Sequence, residues 1–222
     1  FPDLPEVSER TVYNTVHLVR EREDLPKTLE PTRQMAKVPD CEYGEKAQVD
    51  FGEKWMRNAK GRQIKVHFMV MVLMRSRYKF VYLQNVPFTS KTTVYAHHLA
   101  FRYFGGVPKK VVYDQDRRML VNENYGDYVM TDEFAKYVKS VCFEPVFCMP
   151  YDPASKGQSE AVVKYVKNNF LAGRTYVSID SLNDEAIGWL ERTGNGKVNS
   201  STRLVPAEEF KTERLELMPY VE

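Results

Sequence analysis

Between Ile64 and Met74 the chain places Ile64, Val66, Phe68, Val70, Val72 and Met74 at alternate positions. Apolar residues at period two mark a strand with one face in a core. The intervening positions begin polar, with Lys65 and His67, and then turn apolar at Met69, Met71 and Leu73. A strand that becomes apolar on both faces belongs inside a sheet covered on both sides, which points to an α/β layer architecture.

The neighbouring segments extend this sheet. Ala47–Gly52 reads as a short strand with Asp50 in its middle, joined through the polar, basic Asn58–Gly61 connection. A tight turn at Arg75 and Ser76 leads to a third strand, Tyr78–Leu83, and such short connections make the three strands antiparallel. Thr89–Phe104 has helical periodicity and stops at Gly105-Gly106. His97 and His98 lie within it without a partner at metal-ligand spacing, so both are read as structural or exposed. Lys109–Tyr113 is a buried strand closed by Asp114. A helix over Thr131–Val141, a short strand at Val146–Met149 and a final helix complete the unit. The expected fold is α/β, a mixed five-stranded sheet flanked by helices, with Ala47–Gly52 and Lys109–Tyr113 as central neighbours.

That final helix follows a loop. Pro150, Pro153, Ser155 and Gly157 interrupt regular structure, and the helix is expected to open near Ser159 and Glu160. Glu160, Lys164 and Lys167 then fall on one stripe, while Val162, Val163, Val166 and Phe170 form the apolar one. An exposed Glu-to-Lys pair of this kind is worth only about 0.2–0.5 kcal/mol. The arrangement gains meaning from Asp50 and Asp114, because acids in apolar strands are costly unless paired or metal-bound. Three carboxylates meeting at one end of a sheet would need divalent cations to offset their repulsion, which is the hard-oxygen donor set of a two-metal phosphoryl-transfer site.

Outside this unit, Ser8 reads as the N-cap of an amphipathic helix over Glu9–Glu23 with Arg10 and Tyr13 near its start. Leu25–Glu45, with three prolines, reads as a linker. Ser181 reads as the cap of a helix to about Arg192, and Pro206 as the first residue of a short last helix. The expected boundaries are 1–24 for the N-terminal arm, 25–45 for the linker, 46–175 for the core and 176–222 for a helical extension leading out of it. The 222 residues carry a formal net charge of +2, too small to indicate a nucleic-acid partner by itself. Lys54, Arg57, Lys60, Arg62 and Lys65 nevertheless cluster without an acid among them, either as a solvated turn or as a DNA contact. Three cysteines without Cys-x-x-Cys spacing fit a reducing compartment. No apolar run has the length of a membrane span, no signal peptide precedes the body, and a chain starting at Phe1 is expected to be a piece of a longer protein.

Ala47-Gln48-Val49-Asp50-Phe51-Gly52-Glu53, Tyr113-Asp114 and Tyr151-Asp152-Pro153-Ala154-Ser155-Lys156-Gly157-Gln158-Ser159-Glu160 resemble the three signature blocks of IstA-type transposases of the istA/istB insertion-sequence group. More remotely they are similar to retroviral integrase cores. The resemblance implies that Asp50, Asp114 and Glu160 form the acidic triad of an RNase H-like core binding two Mg2+ (or Mn2+) ions. It also implies that Lys156, Lys164 and Lys167 contact the element's end, and that the N-terminal helix carrying Arg10 and Tyr13 ends a helix-turn-helix segment. Partners implied are DNA, at least a second copy of the chain, and an IstB-type ATPase helper, in the bacterial cytosol. The interval from Asp114 to Glu160 is longer than in the integrase pattern. The extra length is assigned to a loop in Gln115–Thr131, leaving Asp116 and Asp152 as alternatives to Asp114. The implied activity is 3′-end nicking and strand transfer. A nuclease that cuts without joining and a silent DNA-binding fragment are the other readings.

Overall fold

The computed structural model describes residues 7–25, 41–114, 119–124, 127–148 and 161–221, divided into an N-terminal unit, Phe1–Val38, and a main unit, Pro39–Glu222. In the N-terminal unit α1 spans Glu9–Arg22, capped by Ser8, whose hydroxyl accepts the Thr11 N–H. None of its residues is buried within this unit. Val12, Val16 and Val19 line an exposed apolar face, as their spacing predicts.

The main unit is built on one mixed sheet. In chain order the strands and helices are β1 (Lys46–Asn58), β2 (Gln63–Leu73), β3 (Lys79–Gln84), α2 (Ser90–Phe104), β4 (Lys110–Tyr113), β5 (Leu120–Asn124), β6 (Asp127–Met130), α3 (Asp132–Val141) and β7 (Glu144–Phe147). Then follow α4, α-helical over 161–165 and continuing as a π-turn over Val166–Phe170, β8 (Thr175–Tyr176), α5 (Ile179–Trp189) with its own π-turn at Leu190–Gly194, and α6 (Pro206–Glu213). The strand order is β3-β2-β1-β4-β7, with β8 as a short sixth strand beside the far half of β1. β1, β2 and β3 are antiparallel, and β4 and β7 join in parallel.

The two-faced pattern of β2 is satisfied as expected. Met69, Met71 and Leu73 pack with Ala96, Ala100, Phe101 and Phe104 of α2, Phe134 of α3 and Phe210 of α6. Val66, Phe68, Val70 and Val72 pack with Val162, Val166 and Phe170 of α4 and with Leu182 and Trp189 of α5. The result is three layers, helices over sheet over helices. The open edge of β3 is blocked by two side-chain amides. Asn195 exchanges hydrogen bonds with both the N–H and C=O of Lys79 (2.9 Å each), and Asn183 does the same for Leu83 at 2.9 and 3.0 Å.

Four expectations change. β1 is much longer than Ala47–Gly52, because its polar half Glu53–Arg57 pairs residue by residue with Gln63–His67. Within Gln115–Thr131, expected as a loop, Leu120–Asn124 and Asp127–Met130 pair as a hairpin seated by buried Met119 and Leu120. The α5 cap is Ser178, whose hydroxyl accepts the Ser181 N–H at 3.1 Å, so the helix starts earlier than Ser181. The fourth is β8, whose two residues carry no periodicity.

His97 is a core residue. Its Nδ1 lies 2.7 Å from the Thr93 carbonyl and therefore carries the proton, leaving Nε2 to accept from the Tyr113 hydroxyl at 3.0 Å. This bond ties α2 to the last residue of β4. Burial pushes the imidazole pKa down to about 4. The folded state thus resists protonation that the unfolded chain accepts near pH ~6.5. Stability from the neutral imidazole is complete above that pH and is lost as the pH falls toward 4. Urea unfolding over this window should show a loss of roughly 3 kcal/mol that His97→Gln lacks.

Candidate active site

β1 and β4 run in parallel with Val49 opposite Tyr113, so Asp50 and Asp114 are the next residues on adjacent strands. Adjacent strands lie about 4.8 Å apart, and alternation sends both residues to the same face. That face is the α4 and α5 side, because Val49 and Tyr113 belong to the opposite, α2-facing cluster. Asp50 is half-buried and its Oδ1 accepts the Phe51 N–H at 2.7 Å, whereas Asp114 is exposed at the strand end.

Gly52, the next residue on this face, lies under the ring of Phe68, its partner on β2. A Cβ on Gly52 would come within 2.3 Å of the ring. The absence of a side chain lets Phe68 fill the layer beside the carboxylates.

α4 is anchored over the same face by Val162, Val163, Val166 and Phe170. The Lys54 ammonium donates to the Lys167 carbonyl, and β8, just past α4, pairs with Arg57 and Asn58 at the far end of β1. At its other end α4 shares a cavity with Lys79, through Ala161, Val162 and Tyr165. Lys79 pairs with Val72, which pairs with Gln48. The Lys167 end of α4 therefore lies toward Lys54, and the first described residues of the helix lie toward the other, Asp50-bearing half of β1.

Lys164 is exposed and Lys167 half-buried. The π-turn from Val166 widens the helix, so the stripe of Lys164 and Lys167 is not a regular α-helical one. Glu160 and Lys156, with the alternatives Asp116 and Asp152, lie outside the described residues. Among the described residues no three His, Cys, Asp or Glu side chains gather as a metal site. What is present fits a hard cation, since two carboxylates on neighbouring strands supply oxygen donors only. Arg10 and Tyr13 are exposed on α1 in the separate N-terminal unit.

One neighbour of the pair escaped sequence reasoning. The Cys148 N–H donates to the Tyr113 carbonyl at 2.9 Å, continuing the β4–β7 ladder so that buried Cys148 lies beside Asp114. Its sequence signal is its place within the expected strand Val146–Met149.

No protein-family model matches the chain. It is 50% identical over 222 residues to a transposase for an IS21-like insertion sequence element of Bacteroides fragilis, covering 99% of this chain and 43% of the relative. A putative transposase for element IS5376 of Geobacillus stearothermophilus is 31% identical over 79% of this chain and 44% of its own length. The transposase for IS21 of Pseudomonas aeruginosa is 30% identical over 78% of this chain and 44% of its own. The chain thus spans less than half the length of these relatives. Among solved structures, a simian T-cell lymphotropic virus intasome bound to PP2A regulatory subunit B56 gamma matches with a TM-score of 0.57 and 16% identity, over 87% of this chain and 64% of that one. The HTLV-2 integrase catalytic core domain in complex with magnesium matches with a TM-score of 0.54 and 15% identity, over 78% and 99%. These structural matches carry the integrase-core fold.

Gly52→Ala should lower the unfolding free energy by about 1–3 kcal/mol in urea titration, since a methyl group must be forced against a packed ring.

Proposed function

The chain belongs with the transposases of IS21-like insertion sequence elements, and on that premise we propose that it is the catalytic core that nicks the element's 3′ ends and transfers them into target DNA. The observation that carries this reading is the Asp50 and Asp114 pair, Asp50 within β1 and Asp114 just past the end of the parallel neighbour β4, in an integrase-type sheet. The start of α4 on the same face supports Glu160 as the third carboxylate. In the sequence Asp116 follows the apolar strand instead of ending it, and Asp152 stands in a Tyr-Asp-Pro context that reads as a turn.

Asp50, Asp114 and Glu160 would hold divalent cations, Mg2+ or Mn2+, as oxygen ligands. Bound there, the cations supply activation of the attacking hydroxyl and stabilisation of the departing oxygen in an in-line displacement. The HTLV-2 core of the same fold is a magnesium complex, which supports this choice of ion. The protein's own part is placement. The Phe51 N–H donates to Oδ1 of Asp50 and so helps to set the orientation of that carboxylate. Lys164 and Lys156 hold phosphates of the element's end as point charges, with Lys167 beside them. Neither Tyr nor Ser acts as a nucleophile, so no covalent protein–DNA intermediate forms.

The residue boundaries proposed for this activity are 46–175 for the catalytic core, with 176–222 as the extension and the arm of residues 1–24 presenting Arg10 and Tyr13 to DNA. Joining two ends together requires at least two copies of the chain, and the family context adds an ATPase helper of the IstB type. No helix of the described residues is long and apolar enough to cross a membrane. Action on DNA in the bacterial cytosol follows from the proposal.

Labelled element ends incubated with a supercoiled target and Mg2+ should yield joined products. Asp50→Asn, Asp114→Asn and Glu160→Gln should each reduce cleavage and joining by at least about 100-fold while leaving DNA affinity within a few-fold of the parent. Cleavage at the parent rate by all three variants would place the chemistry elsewhere.

A further inference from the structure

Beyond Lys54 the β1–β2 ribbon carries a cluster that the reaction does not use. Trp55 is 58% exposed, one of only two tryptophans in the chain, the other being Trp189 at 4%. Lys65, its cross-strand partner, lies with Nζ 5.7 Å from the indole centroid and is held by Glu53 at 2.6 Å. Further out, Arg57, Lys60 and Arg62 are exposed, and among the described residues none of the three makes an ion pair.

The turn that presents them is built, not slack. The Asn58 side chain accepts the N–H groups of Lys60 and Arg62 at 3.0 and 2.9 Å, and Gly61 takes a φ of 78° to close it. Two requirements for holding single-stranded nucleic acid meet here: an aromatic face for a base and cations for the phosphates on either side. Exposed indole is costly in water, and a protein partner would need apolar neighbours that this tip lacks. The surroundings are cationic, so charge selects a polyanion that also has rings to stack.

We propose that the β1–β2 tip is a second nucleic-acid contact, in which Trp55 stacks on an unpaired base while Arg57, Lys60 and Arg62 hold its flanking phosphates. The proposal rests on the reading that this chain acts on DNA. Trp55 follows Asp50 by five residues, roughly 17 Å along the strand, or about five nucleotide steps of DNA. Alternation puts Trp55 on the face opposite Asp50, so a strand that reaches both passes round the sheet at this end, which a flexible single strand does and a stiff duplex does not. The contact is therefore specific for frayed or single-stranded DNA adjoining the reacting end.

Trp55 emission reports on this directly, with Trp55→Phe supplying the Trp189 background. Titration with a short oligothymidylate should quench the Trp55 part of the signal, and Trp55→Ala should weaken binding about tenfold. Heparin, a polyanion without bases, should bind without that quenching. Asp50→Asn should be quenched like the parent, since the tip acts apart from the carboxylates. Unchanged emission at saturating oligothymidylate, or equal quenching by heparin, overturns the stack. Unchanged emission in protein that still joins DNA ends refutes the tip alone, whereas quenching in protein that never joins ends leaves the tip standing and refutes the catalytic reading.

Discussion

The parallel pairing of β1 with β4 is the constraint on which the rest depends. It sets Val49 against Tyr113 and so brings Asp50 and Asp114 to the same level on adjacent strands. Like charges on directly neighbouring strands, whose backbones lie about 4.8 Å apart, are destabilising unless a group of opposite charge offsets them. Everything around the pair holds it in register. Lys110 N bonds to the Glu45 carbonyl at 2.8 Å at one end, and the buried His97–Tyr113 bond secures the other. A register slip of one residue would send one acid into the α2-facing core.

The helical layers translate this pairing into a site. α2, α3 and α6 back one face with a dense aromatic cluster, and α4 and α5 pack on the opposite face, the one to which alternation assigns Asp50 and Asp114. α4 crosses that face under the joint control of its valines, the Lys54 tether and the start of β8. The C-terminal residues take part in the same unit. Buried Glu213 of α6 accepts the Ser76 N–H at 2.8 Å and the Gly44 N–H at 3.3 Å, tying the entry of β1 to the β2–β3 turn. Asn183 and Asn195 close the β3 edge from α5 and just beyond it.

Much of this was legible because hydrophobic pattern and burial coincide. The two-faced run in β2, the helical period and Gly105 stop of α2, and Asp114 closing an apolar strand each have a local cause that the sequence states directly. The failures share another cause, that pairing need not be apolar. Glu53–Arg57 looks like a connection but is a strand because β2 extends alongside it. The β5–β6 hairpin hides in a polar stretch, and β8 is set by the end of β1 alone. Trp55 stood in a segment read only for its charges, and Cys148 gained meaning only from its neighbour across the sheet. The role expected of Glu160 came from its place at the start of a helical stripe and from the resemblance to transposases, and Glu160 lies outside the described residues.

The central claim is that the two aspartates share a divalent cation. Anomalous scattering from a Mn2+-soaked crystal tests it most directly. The account predicts a peak between Asp50 and Asp114, about 2.0–2.3 Å from an oxygen of each. Manganese peaks confined to other carboxylates, with none at this pair at saturating Mn2+, would contradict it.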